Sequence, residues 1–223
     1  MLLGRPNPGK VETINDADGF VANFWRAVSN DPDAVTRHAD WPCIEADLEA
    51  RHAWLVNRSE RLRWQLEDPD FYDAKVAGWW VWGACNWIGS GWCAGEGPHL
   101  TNGVRLFDSR KLPHLSAGQG INRKLPHLGD AGRGEHPRSA YIREWMMKLA
   151  ERLRDVRVTC GDWTRVVKDS VTTRHGMTGV FLDPPYTLGK MDYAAGGVGG
   201  ELANSVREWC KKNGDNELLR IVL

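Results

Sequence analysis

The chain has 223 residues, and its 29 Lys and Arg are balanced by 29 Asp and Glu. The length suits one sizeable core, or a core with a smaller insert, and the global charge names no partner. Five cysteines, at 43, 85, 93, 160 and 210, form no CxxC pair and no Cys/His cluster at zinc spacing, so no metal site is expected. Their odd number, without a signal peptide, predicts reduced thiols in a cytoplasmic protein. No apolar run reaches the roughly 18 residues of a membrane span.

Along the chain, "VETINDAD" (11–18) is a short β-prone run that ends in polar residues. "GFVANFWRAV" follows, with apolar residues at 20, 21, 24, 25 and 28, the spacing of an amphipathic helix. "EADLEARHAWLVNRSERLRWQLED" (45–68) is predicted helical, with Leu48, Leu55, Leu62 and Leu66 on one face. "GWWVWGACNWIGSGWC" (78–93) reads as a buried helix or strand, and its five tryptophans favour core over a base-stacking platform. Residues 95–140 hold many Gly, Pro, His and basic residues with little periodicity. Within them "SRKLPHLSAGQG" (109–120) is echoed by "NRKLPHLGDAG" (122–132), which reads as two similar basic turns in an insertion rather than a solenoid. Between Gly103 and Arg143 eight Lys and Arg face three acids.

Regular α/β rhythm returns in the last third. "YIREWMMKLAERLRDV" (141–156) is predicted helical, with Ile142, Trp145, Met146, Leu149 and Leu153 on one face. "VRVTCGDW", "GVFLDPPY" and "ELLRIVL" are predicted strands. "ELANSVREWCKKNG" is a helix with Leu202, Val206, Trp209 and Cys210 as its apolar stripe and Gly214 as its C-cap. Strands alternating with helices imply a mostly parallel sheet, whose ligands sit beyond the carboxyl ends of the strands. Each of the first three strands ends in an acid: Asp16 or Asp18, Asp162, and Asp183. At the last of these, Asp183-Pro184-Pro185-Tyr186, the two prolines form a stiff extended turn. That turn would fix a carboxylate, the Pro184 carbonyl and an aromatic ring relative to one another. Two adjacent acceptors suit an exocyclic amino group, and the ring suits stacking on the heterocycle that bears it.

"DPPY" at the end of an apolar strand resembles the catalytic motif of amino-methyltransferases that modify adenine N6 in DNA. "NDADGFVANFWRAV" is similar to the ribose-binding motif and following helix of the Dam-type (class α) branch, and "VTCGDW" to the strand end that holds the cofactor's adenine. The Trp-rich middle, with "RKLPHL" and "AGRG", resembles phage-type members. Three motifs in the family's order span nearly the whole chain. The resemblance implies a Rossmann-like, S-adenosylmethionine-dependent α/β sheet built from 1–30 and 141–223. A mainly helical and loop target-recognition insertion would occupy 31–140. The implied function is site-specific methylation of a flipped-out adenine in double-stranded DNA. Asp183 and the Pro184 carbonyl would accept the amino hydrogens, within the catalytic set Asp183, Pro184, Pro185 and Tyr186. Tyr186 would stack on the base, with Phe181 or Leu182 behind it. Asp16, with Asp18 as the alternative, would accept from the cofactor's ribose, and Asp162 from its adenine; Phe181 is counted on the cofactor side. Arg110, Lys111, Arg123, Lys124, Arg133 and Arg138 are the expected phosphate contacts. His114 and His127 fall in the twin turns as turn or phosphate contacts rather than metal ligands. A monomer, with a cognate restriction nuclease as a possible companion, completes what the resemblance implies.

One departure from the family pattern stands out. The F-x-G-x-G strand and loop that wrap the methionine half of the cofactor have no counterpart before Asp16, and "LLRIVL" closes the chain where further sheet elements would follow. The expectation is an incomplete sheet with an open edge beside "VETIND" and weak cofactor affinity. Two alternatives remain. One is a catalytically inactive, truncated DNA-binding remnant; the other is an amino-methyltransferase acting on RNA or on protein glutamine.

Overall fold

The computed structural model describes residues 2–4, 7–87, 92–93, 138–184 and 199–223. It is mixed α/β, with seven α-helices and four short strands among the described residues. In chain order these are β1 (Glu12–Asp16), α1 (Gly19–Asn30), α2 (Pro32–Ala39), α3 (Glu45–Val56), α4 (Ser59–Gln65) and α5 (Ala74–Asn86). They are followed by α6 (Arg138–Leu153), β2 (Val156–Cys160), β3 (Thr178–Phe181), α7 (Gly199–Asn213) and β4 (Leu219–Val222).

The strands are parallel, as their alternation with helices predicts, but among the described residues they form two separate pairs rather than one sheet. β1 pairs with β2 in a register that sets Glu12 beside Val156 and Asp16 beside Cys160. β3 pairs with β4, with Thr178 beside Leu219 and Phe181 beside Val222. Among the described residues β1 therefore hydrogen-bonds to a neighbour along one edge only.

The helices follow their apolar stripes. Phe20, Phe24, Ala27 and Val28 of α1 are buried, as the three-and-four spacing demands. The predicted helix over 45–68 is two helices, because the Asn57 amide closes α3 onto the Ala53 and Leu55 carbonyls before α4 begins at Ser59. Leu48, Leu55 and Leu62 nevertheless share the buried side. The Trp-rich run forms α5, whose Trp82 is fully buried. Gly78 allows the close approach of α2: a Cβ there would lie 2.4 Å from the His38 Cβ and 2.7 Å from the Val35 carbonyl oxygen. α2, which the periodicity of the sequence does not reveal, is set by Asp31, whose side chain accepts from the Ala34 amide, and by Pro32 at its first turn.

One core joins Phe24, Ala27 and Val28 with Val35, Ala39, Ala77, Val81, Ile142, Met146, Leu149, Leu153 and Val156. Helices from 31–86 thus pack directly on α1 and α6. The fit is reinforced by polar clamps. Buried Asn23 exchanges two hydrogen bonds of 2.9 Å with the Asp73 backbone, and the Asp73 side chain caps α5 by accepting from Val76. Arg26 donates to the carbonyls of Leu66, Asp68 and Phe71. Under β1, Glu12 pairs with Arg152 of α6, both side chains being largely buried. Among the described residues no helix is long and apolar enough to cross a membrane, and the five cysteines form no disulfide.

Candidate nucleotide and amino-group site

The carboxyl end of the β1–β2 pair is a tightly hydrogen-bonded corner. The Gly161 amide donates to the Asp16 carbonyl (2.9 Å), continuing the ladder one step past the strands. Asn15 Nδ2 donates to the Gly161 carbonyl (3.0 Å), and the Thr159 hydroxyl donates to Asn15 Oδ1 (2.9 Å). Gly161 has φ +135°, a conformation open to glycine, and it turns the chain so that Asp162 follows directly. Asp16 ends β1 opposite Cys160, the last residue of β2, and Asp162 follows two residues later at the same end of the pair.

Both acids are exposed, and each is anchored by a local turn. Asp16 Oδ1 accepts from the Asp18 amide (2.9 Å). Asp162 Oδ1 accepts from the Thr164 amide (2.9 Å) and from the Thr164 hydroxyl. The Thr164 hydroxyl, followed by its amide, holds the Asp162 carboxyl below its ordinary value, so it stays an acceptor. Asp18 does a different job. It is the N-cap of α1, its Oδ1 accepting from the Phe20 amide (2.8 Å). Burial raises the Asp18 carboxyl, with the neighbouring Asp16 adding to the rise; the Phe20 amide and Arg63 oppose it. Of the two acids the sequence offered for the ribose, Asp16 is the exposed one and Asp18 is committed to the helix. The cap stands where the chain is extended (φ −81°, ψ 123°).

Two arginines flank this corner, neither singled out by sequence. Arg165 Nη1 donates to the Cys160 carbonyl (3.2 Å). Arg63, from α4, lies over Gly19, where a Cβ would stand 3.1 Å from its Cγ. Burial raises the Cys160 thiol, as do Asp16 and Asp18, against Arg63 and Arg165; Cys160 is thus no ready nucleophile.

Asp183 lies one residue past β3 and is exposed, and the intervening Leu182 amide donates to the Val222 carbonyl (2.9 Å). Pro184 is half-buried. Phe181, expected to pack behind a bound ring, is 53 % exposed, beside Val222 at 55 %. Pro185 and Tyr186 lie outside the described residues, as do Arg110, Lys111, Arg123, Lys124, Arg133, His114 and His127. Arg138 opens α6. Among the described residues no group of three His, Cys, Asp or Glu is arranged to hold a metal. Comparison with known proteins adds no relative: no family model, curated protein or solved structure matches this chain.

Proposed function

We propose that this chain is a site-specific adenine methyltransferase of DNA, transferring a methyl group from S-adenosylmethionine to N6 of a flipped-out adenine. The observation that carries the reading is the β1–β2 corner, where Asp16 and Asp162 emerge side by side from paired parallel strands on hydrogen-bonded turns. Open parallel sheets bind nucleotides at such carboxyl edges. Two exposed carboxylates at the same end of paired strands, Asp16 and Asp162, suit a nucleoside's ribose hydroxyls and its amino group. Asp16 would hold the ribose and Asp162 the adenine. These acceptors would suit the nucleoside of S-adenosylmethionine, which when bound would supply an electrophilic methyl on sulfur.

The chain's own part in the reaction falls to the segment after β3. Adenine N6 is a weak nucleophile because its lone pair is delocalised into the ring. Asp183 and the Pro184 carbonyl, accepting both N6 hydrogens, favour a pyramidal nitrogen and stabilise the positive charge that develops there. Asp183, or water beside it, would take the N6 proton that methylation releases. Tyr186 stacks on the base, which a flip of a few kcal/mol brings out of the duplex. Residues 31–140 serve as the DNA reader in this reading, tied to the remainder through the core that α2 and α5 share with α1 and α6.

The test is transfer of tritiated methyl from S-adenosylmethionine to unmethylated plasmid DNA, with Asp183→Ala as control and digestion to identify N6-methyladenine. Label on adenine that vanishes in Asp183→Ala supports the reading. DNA binding without transfer points instead to an inactive DNA-binding remnant, and label on RNA or on protein glutamine to another substrate class.

A further inference from the structure

We propose that Asn15 is a positioning residue that holds the Asp162 carboxylate where it selects a 6-amino purine over a 6-oxo purine. The inference rests on the methyltransferase reading above, which gives Asp162 the cofactor's adenine, and it deepens that reading.

Asparagine is disfavoured inside strands, where β-branched and aromatic side chains pack better. Its place in β1 therefore calls for polar partners. The register sets Asn15 opposite Thr159 of β2. Side chains alternate along a strand, so Asn15 and Thr159 share one face and Asp16 belongs to the other. The Thr159 hydroxyl shares its proton between Asn15 Oδ1 (2.9 Å) and the Ile14 carbonyl (3.1 Å). With its oxygen accepting there, the Asn15 amide turns Nδ2 to the Gly161 carbonyl, to which it donates at 3.0 Å. The two residues are 146 positions apart, so this bond is a clamp between strands and not a local turn.

The short link from β2 to Asp162 has its polar groups fully engaged. The Gly161 amide donates to the Asp16 carbonyl (2.9 Å), and the Cys160 carbonyl accepts from Arg165 (3.2 Å). A Cβ at Gly161 would stand 2.8 Å from Arg165 Nη1, so glycine both permits the φ of +135° and clears the arginine. The Gly161 carbonyl, held by Asn15, belongs to the planar peptide that leads into Asp162. Asn15 thus fixes the rotation of that plane, and with it the direction in which Asp162 leaves the strand. The Asp16 carboxylate is held separately, by the Asp18 amide of its own segment. Loosening Asn15 should free Asp162 and spare Asp16. An ionised carboxylate only accepts, so it attracts the N–H groups of a 6-amino purine and repels a 6-oxo oxygen. It selects between them only while it cannot turn away.

The experiment is titration calorimetry on the full chain with S-adenosylhomocysteine and with S-inosylhomocysteine, which carries a 6-oxo purine in place of adenine. The unaltered protein should prefer the first by about tenfold or more. Asn15→Asp keeps the shape and still accepts from Thr159, but it cannot donate to Gly161. Thr159→Val removes the hydroxyl that orients the amide. Each should cut the preference by about 3- to 10-fold through weaker S-adenosylhomocysteine binding, with S-inosylhomocysteine bound no less tightly than before. In an Asp162→Ala background Asn15→Asp should change the preference no further, because its effect runs through that carboxylate. Equal weakening of both nucleosides, an unchanged preference, or a further change on top of Asp162→Ala overturns the assignment to Asn15. An unaltered protein that binds both nucleosides equally removes the role of Asp162, and this inference with it. One that binds neither overturns the methyltransferase reading itself. Circular dichroism melts of each variant separate lost binding from lost folding.

Discussion

Asp16 and Asp18 are separated by a single residue, yet the geometry gives them opposite parts, and two substitutions test that division. Asp18→Asn keeps an oxygen for the Phe20 amide, now 2.8 Å away, so the cap, worth about 1 kcal/mol, survives. It removes a charge that burial and Asp16 disfavour. Asp18→Ala deletes the cap and should cost about 1 kcal/mol, or roughly 2–4 °C in Tm for a chain of this size. The pH sign follows from the raised carboxyl. The folded state takes up the proton more readily than the unfolded one, so Asp18 contributes stability that is fully present below the ordinary carboxylate value. That contribution fades as pH rises through the raised folded value. Asp18→Asn should therefore match or exceed the unaltered protein at pH 7.5 and lose any advantage near pH 4. Ligand binding should divide the other way. Asp16→Asn removes a charged acceptor for two hydroxyls, each such bond being worth about 1.5–3 kcal/mol. S-adenosylhomocysteine affinity should fall at least tenfold, while Asp18→Asn leaves it within about twofold. Melts at the two pH values and calorimetry on both variants read this out. If Asp18→Asn destabilises as much as Asp18→Ala at pH 7.5, or if Asp18→Asn and not Asp16→Asn abolishes binding, the division is wrong.

Gly78→Ala would gain about 1 kcal/mol on helix propensity alone. Its Cβ, however, would meet His38 and Val35 backbone atoms at 2.9 and 2.7 Å, and overpacking of about 1–3 kcal/mol should dominate. A Tm several degrees lower is expected, against no loss for Gly179→Ala, which has nothing within 4 Å. His38 is held below its ordinary value by burial first, then by Lys75 and Arg37. The folded state thus binds fewer protons, and stability should fall as pH drops through about 6.5; His38→Gln should flatten Tm between pH 7.5 and 5.5. Charge reversal at Arg123 and Lys124 should weaken DNA binding and reduce the salt slope by about 0.9 per lost phosphate contact. An unchanged slope removes both from the interface.

What the sequence disclosed, and what it withheld, follows from the range of the forces involved. α1 was legible because residues 20, 24 and 28 share one buried side, and β2 and β4 because short apolar runs sit between turn signals. α2 escaped notice because eight residues give too little periodicity; its cue was local, an Asp-Pro pair at the start. α5 stayed ambiguous between helix and strand because Trp and Val favour strands locally. Tertiary contact decided it: Gly83 leaves space for the Trp92 ring, whose Cζ2 would stand 1.8 Å from a Cβ there. At the site the acids were legible as strand endings. Their roles were not, because the choice between cap and free acceptor depends on which amide each oxygen meets. Arg63 was invisible for a different reason: it reaches the corner from a helix more than forty residues further along the chain.

The separation of the strands into two pairs bears directly on the chemistry. Nucleoside recognition, in the reading offered above, belongs to β1–β2, and the grip on the amino group belongs to the segment after β3. Methyl transfer needs an in-line approach, so error in the relative position of the two pairs would enter the barrier directly. The shared core and buried Glu12–Arg152 pair fix the first strand pair against α1 and α6. The second is joined to the corner through aromatic contact: Trp163, the residue after Asp162, meets Trp209 of α7 edge-on, with centroids 6.1 Å apart and planes at 90°. Such an edge-to-face pair contributes about 0.5–1.5 kcal/mol beyond burial, far less than a continuous sheet ladder. The turn at Asp162 is thus braced against α7, the helix between β3 and β4 in the chain. That brace gives the two halves of the proposed site a mechanical link that neither strand pair supplies alone.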